Sequence, residues 1–62
     1  MTASEIIELH IREIERYWHL VDRVDVEIDS GIVTTKTYRS SLEIATITMY
    51  NGKYLSCMIN VV

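Results

Sequence analysis

Residues 2–24, TASEIIELHIREIERYWHLVDRV, decide the fold, because they carry the long run of 3.6-residue apolar periodicity in this chain. Ile7, Ile11, Ile14, Trp18 and Val21 recur at alternating steps of four and three, which holds them on one stripe of a helix. Thr2 followed three positions later by Glu5 is a capping box, and Met1 with Ile6 makes a hydrophobic staple around it. The spacing predicts one amphipathic helix from Thr2 to about Val24. A second row of Ile6, Leu9, Tyr17, Leu20 and Val24 widens the apolar arc to roughly 200°, more than a single packing partner covers.

At Val24 the period drops to 2. Residues 24–29, VDVEID, alternate apolar and acidic without a fault, as a half-buried strand does. Ser30-Gly31 and Asn51-Gly52 read as two-residue hairpin turns. Between them lie IVTTKTYR and LEIATITMY, separated by Ser40-Ser41, and KYLSCMINVV closes the chain. The expectation is a single α+β domain over residues 1–62, with an N-terminal helix packed on a four-stranded antiparallel meander.

Two-residue turns fix which residues face each other. Treating Ser40-Ser41 as a third such turn sorts the sheet. One face takes Val24, Val26, Ile28, Val33, Leu42, Ile44, Leu55, Cys57, Ile59 and Val61, with Thr35, Thr37, Thr46 and Thr48 among them. This face is expected to receive the helix. The other takes Asp25, Glu27, Asp29, Lys36 and Glu43 with Ile32, Tyr38, Ala45, Ile47, Met49, Tyr54 and Met58. A Met- and Tyr-rich patch beside carboxylates fits a protein-binding surface, so Asp25, Glu27, Asp29, Tyr38, Ile47, Met49, Tyr54 and Met58 are the expected partner-binding residues; the alternative is a longer Ser40-Ser41 loop that shifts the register and places some of them in the core.

A chain of 62 residues buries only about 60 % of the surface its unfolded form exposes, so such domains lean on disulfides, metals or a partner subunit. Cys57 is the only cysteine, which leaves self-association as the default. The last strand has no charge, proline or glycine from Tyr54 to Val62, although a meander places it at a sheet edge. Pairing with the same strand of a second copy would protect it, and the surplus helix arc is the competing dimer surface.

Net charge is −3, with six Lys+Arg against nine Asp+Glu and no basic run, which argues against nucleic acid as a partner. No apolar run approaches 18 residues and no secretory leader is visible, so a cytoplasmic protein with no membrane partner is expected.

Few constellations carry chemistry. Glu15, His19 and Asp22 have helical ligand spacing, but Arg12, Arg16 and Arg23 interleave with them, and an ion-paired solvated face explains them better than a metal. His10 and Glu13 interrupt the apolar arc near Tyr17 and Leu20. These four form the expected dimer or ligand interface, with the pair a rim contact rather than an acid/base site. The stretch from Asp25 to Gly31 fails as a calcium loop, since Ser30 takes the turn-glycine position and Lys36 that of the closing glutamate. No catalytic residues, metal or cofactor are expected.

The functional expectation is a non-enzymatic protein-binding module: a small acidic homodimer that inhibits or sequesters a cellular protein, as inhibitors, antitoxins and anti-defence proteins do. The alternative is a small-ligand or nucleotide-binding sponge, or a minimal enzyme, with its site at the dimer interface.

Overall fold

The computed structural model describes residues 2–62. Helix α1 (Ala3–Tyr17) is followed by β1 (His19–Ile28), β2 (Gly31–Arg39), β3 (Glu43–Tyr50) and β4 (Lys53–Val61) in one antiparallel sheet of order β1-β2-β3-β4. The α-β-β-β-β meander is the one the periodicity predicts. Thr2 caps the helix: its hydroxyl oxygen accepts from the Glu5 backbone N–H at 3.3 Å and lies 3.1 Å from the Glu5 carboxylate, to which it donates. The Met1 staple lies outside the described residues.

The helix is shorter than its apolar stripe. It stops at Tyr17, and Trp18 turns extended (φ −89°, ψ 156°) while its N–H still donates to the Ile14 carbonyl at 2.9 Å. His19 to Arg23, expected in the helix, belong to β1 instead. Strand pairing explains the exchange. A first strand beginning at Val24 would leave the end of β2 unpaired, whereas His19↔Arg39, Leu20↔Tyr38 and Arg23↔Lys36 satisfy it, with a bulge at Val21.

Two of the three turns differ from expectation. Asn51-Gly52 is the tight turn the sequence predicts, with φ of 48° and 82° and Tyr50 opposite Lys53. The first turn is Asp29-Ser30, one residue early, so that Ile28 faces Gly31. Gly31 lies at φ 154° with the Asn51 side chain against its Cα, where a Cβ would collide with the amide. That amide oxygen accepts from the Ile32 N–H at 2.9 Å, and the Tyr50 hydroxyl donates to the Ser30 carbonyl at 2.7 Å. The two hairpin tips are thereby clasped together. At the other end Arg39 faces Ile44, not Leu42, because Ser40 closes a wider loop: its N–H donates to the Glu43 carbonyl and its Oγ accepts from the Glu43 N–H.

Both register changes amount to two residues and leave the faces of β1, β2 and β3 sorted as predicted. The helix, however, covers the opposite face. The core is Ile11, Ile14, Tyr38, Ala45 and Ile47, joined by Trp18, Met49, Tyr54 and Cys57. Rows Leu20–Tyr38–Ala45–Ile59 and Arg23–Lys36–Ile47–Cys57 therefore lie beneath the helix, while Val24–Thr35–Thr48–Ser56 and Asp22–Thr37–Thr46–Met58 lie on the bare side. A second bulge, at Leu55, inverts the rest of β4, turning Cys57 and Ile59 toward the helix and Met58 away from it.

Candidate functional site

The choice of face follows from Glu15. It sits one step from Ile11 and Ile14 on the helix and points into the sheet rather than into solvent. Tyr54 donates to its Oε1 at 2.5 Å, Lys36 to its Oε2 at 3.2 Å, and Tyr38 to the same oxygen at 3.5 Å. All three donors stand on the face that holds Ala45 and Ile47. On the bare face the carboxylate would meet threonine and valine side chains and lose its lysine.

Burial alone would raise the Glu15 carboxyl. The Tyr54 hydrogen bond, the Lys36 bond and charge, and the Tyr38 bond outweigh burial and hold it below the usual carboxylate range. The same bond to Glu15, with burial and the carboxylate charge behind it, pushes Tyr54 up to about 12, and burial followed by the Glu15 charge raises Tyr38. Glu15 thus stays ionised and both phenols stay protonated around neutrality. The three hydrogen bonds tie α1 to β2 and β4.

Three surfaces remain. Beyond the end of the helix cover, Arg23, Asp25, Thr34 and Lys36 rim an open concavity of about 510 Å³ over Ile32 and Met49. Its charges are largely matched: Arg23 Nε lies 3.3 Å from Asp25, Thr34 donates to Asp25 at 2.6 Å, and Lys36 is held by Glu15. The Thr34 bond lowers the Asp25 carboxyl; desolvation opposes it, and the charge and hydrogen bond of Arg23 add to the lowering. Along β4, Ile6, Ile7 and His10 overhang Leu55, Cys57 and Ile59 and enclose an apolar cleft of about 370 Å³. Burial raises the Cys57 thiol there. The third surface is the bare sheet face, where Val24, Val26, Ile28 and Met58 are exposed beside the pairs Thr35↔Thr48 and Thr37↔Thr46.

The residues predicted for partner binding are divided among these places. Tyr38 and Ile47 are buried under α1, and Met49 and Tyr54 pack against the same core, so these four do not form an exposed patch. Asp25 and Glu27 are exposed on β1, Asp29 lies in the first turn, and Met58 is on the bare face. The predicted interface of His10, Glu13, Tyr17 and Leu20 is likewise split. His10 lines the β4 cleft, Glu13 and Tyr17 lie on the outer side of the helix beside Arg12 and Arg16, and Leu20 is in β1.

Among the described residues no three His, Cys, Asp or Glu side chains are grouped to hold a metal ion. Among the described residues no helix is long and apolar enough to cross a membrane. Comparison with protein-family models, curated proteins and solved structures finds no match to this chain.

Proposed function

We propose that the protein is a non-enzymatic binding module, an acidic cytoplasmic homodimer that inhibits or sequesters a cellular protein by covering part of its surface. One observation carries this reading: a full face of the four-stranded sheet has no covering element, and its Val24, Val26, Ile28 and Met58 side chains are open to solvent. Val24, Val26 and Ile28 line one edge of this face, with Val33 beside Val26, and exposed apolar surface of this kind marks interaction sites in soluble domains; Met58 lies across the threonine pairs on the opposite edge strand. β-Branched side chains on a pleated sheet lose little entropy when covered, because their χ1 is already restricted. Asp22 on this face and Glu27 on the same edge strand favour a partner whose apolar contact is bordered by Lys or Arg.

The test is capture with the intact chain, followed by titration of the recovered protein. Stoichiometric binding that falls at least tenfold in Val26→Asp and Met58→Asp, with unchanged circular dichroism, supports the reading. Recovery of no protein, or binding indifferent to both substitutions, overturns it.

A further inference from the structure

Among the described residues only Ile11, Ile14, Tyr38, Ala45 and Ile47 are buried hydrophobics, and the chain exposes 4718 Å². A compact monomer of 7.2 kDa would expose about 4,100 Å². The surplus, roughly 600 Å², approaches the 800 Å² or so that each partner buries in a standard interface.

The two sheet edges differ sharply in what they can pair with. β1 carries Asp22, Arg23, Asp25 and Glu27, three carboxylates against one guanidinium, so pairing β1 with itself would gather net negative charge along the seam. β4 has no charge after Lys53, and Leu55, Met58 and Val61 are exposed along it. The apolar cleft runs beside this same edge: Ile6 and Ile7 project from the helix over β4, each about half exposed. The Leu55 bulge kinks this edge near its start, but from Ser56 to Val61 its register with β3 is regular, and a stretch that is uncharged, unblocked by proline and overhung by an apolar helix face is complementary to itself.

We propose that β4 pairs antiparallel with β4 of a second copy of this chain about a two-fold axis, joining the two sheets into one of eight strands. Each helix then lies partly across the junction, with Ile6, Ile7 and His10 set against the second copy's Leu55 and Ile59. This names the interface of the homodimer in the functional reading above and rests on that part of it. The face proposed for the partner is a separate surface, so either assignment can fail alone.

The intact chain tests this without a substitution. Light scattering is expected to give twice the chain mass. Amide hydrogen exchange is expected to be slow at successive positions from Tyr54 to Val61, while alternate amides of the β1 edge exchange quickly. A monomer mass, or fast exchange at every second β4 amide, overturns the proposal; a dimer that protects the β1 amides instead of those of β4 overturns it in favour of pairing through β1. Leu55→Lys with Ile6→Lys should halve the mass with unchanged circular dichroism, as Val26→Lys should not. Capture of a cellular protein that fails while β4 stays protected removes the partner and keeps the dimer.

Discussion

The Tyr54 hydroxyl donates a 2.5 Å hydrogen bond to the carboxylate of Glu15, tying the last strand to the helix across 39 residues of sequence. Lys36 and Tyr38 converge on the same carboxylate. Glu15→Ala removes the acceptor of three part-buried donors and should cost about 2 kcal/mol, the scale of a hydrogen bond to a charged group. Glu15→Gln, which keeps one acceptor oxygen, should cost less. Denaturant unfolding measures both, and a loss below about 0.5 kcal/mol in Glu15→Ala would make the cluster an incidental surface contact.

The same cluster sets the pH limits of stability. The folded Glu15 value lies below its ordinary 4.5, so its contribution is present above that pH and is lost as pH falls through the lowered value. Tyr54 is raised from 10.0 to about 12, so its contribution is complete below pH 10 and fades as pH climbs toward 12. Thermal melts across pH should show a plateau between these flanks. Tyr54→Phe should flatten the alkaline flank, with the raised Tyr38 retaining part of it.

Gly31 and Asn51 should behave as one unit. A Cβ at Gly31 meets the Asn51 amide, and φ there is 154°. Gly31→Ala should therefore destabilise by about 1 kcal/mol or more. In an Asn51→Ala background the steric part of that cost disappears, so a double-mutant cycle should give a coupling of about 0.5 kcal/mol or more. Strict additivity would place the Asn51 side chain elsewhere.

The two faces of the sheet should respond oppositely to truncation. Ile14 and Ile47 are fully buried, and replacing either by Ala should cost about 2–5 kcal/mol, a large part of what a domain of this size has. Val26→Thr on the bare face should stay within about 0.5 kcal/mol. Comparable losses at all three positions would mean that both faces are covered within one chain.

Element order, the Asn51-Gly52 turn and the two-residue period were legible because each has a local cause. The helix end was not. Between Tyr17 and Val24 no glycine or proline interrupts the stripe, and Trp18 and Val21 continue its spacing. The legible sign was length: a 23-residue helix of roughly 33 Å overshoots the strands, and a six-residue first strand cannot pair a nine-residue second one. The helix-covered face was misassigned because aliphatic content was weighed without Glu15. A carboxylate next to a buried stripe needs donors, and Lys36, Tyr38 and Tyr54 share one face. The bulges at Val21 and Leu55 have no sequence signature that we can identify, so Cys57, Met58 and Ile59 could not have been placed on their correct sides.

Every surface assigned to this protein depends on which sheet face the helix covers. Methyl-to-methyl nuclear Overhauser effects in the intact chain measure it directly. Contacts from Ile11 and Ile14 to Ala45 and Ile47, with none to Val24, Val33 or Ile44, are the expected result. Contacts from Ile14 to Val33 or Ile44 would put the helix on the Val24 face and contradict the account.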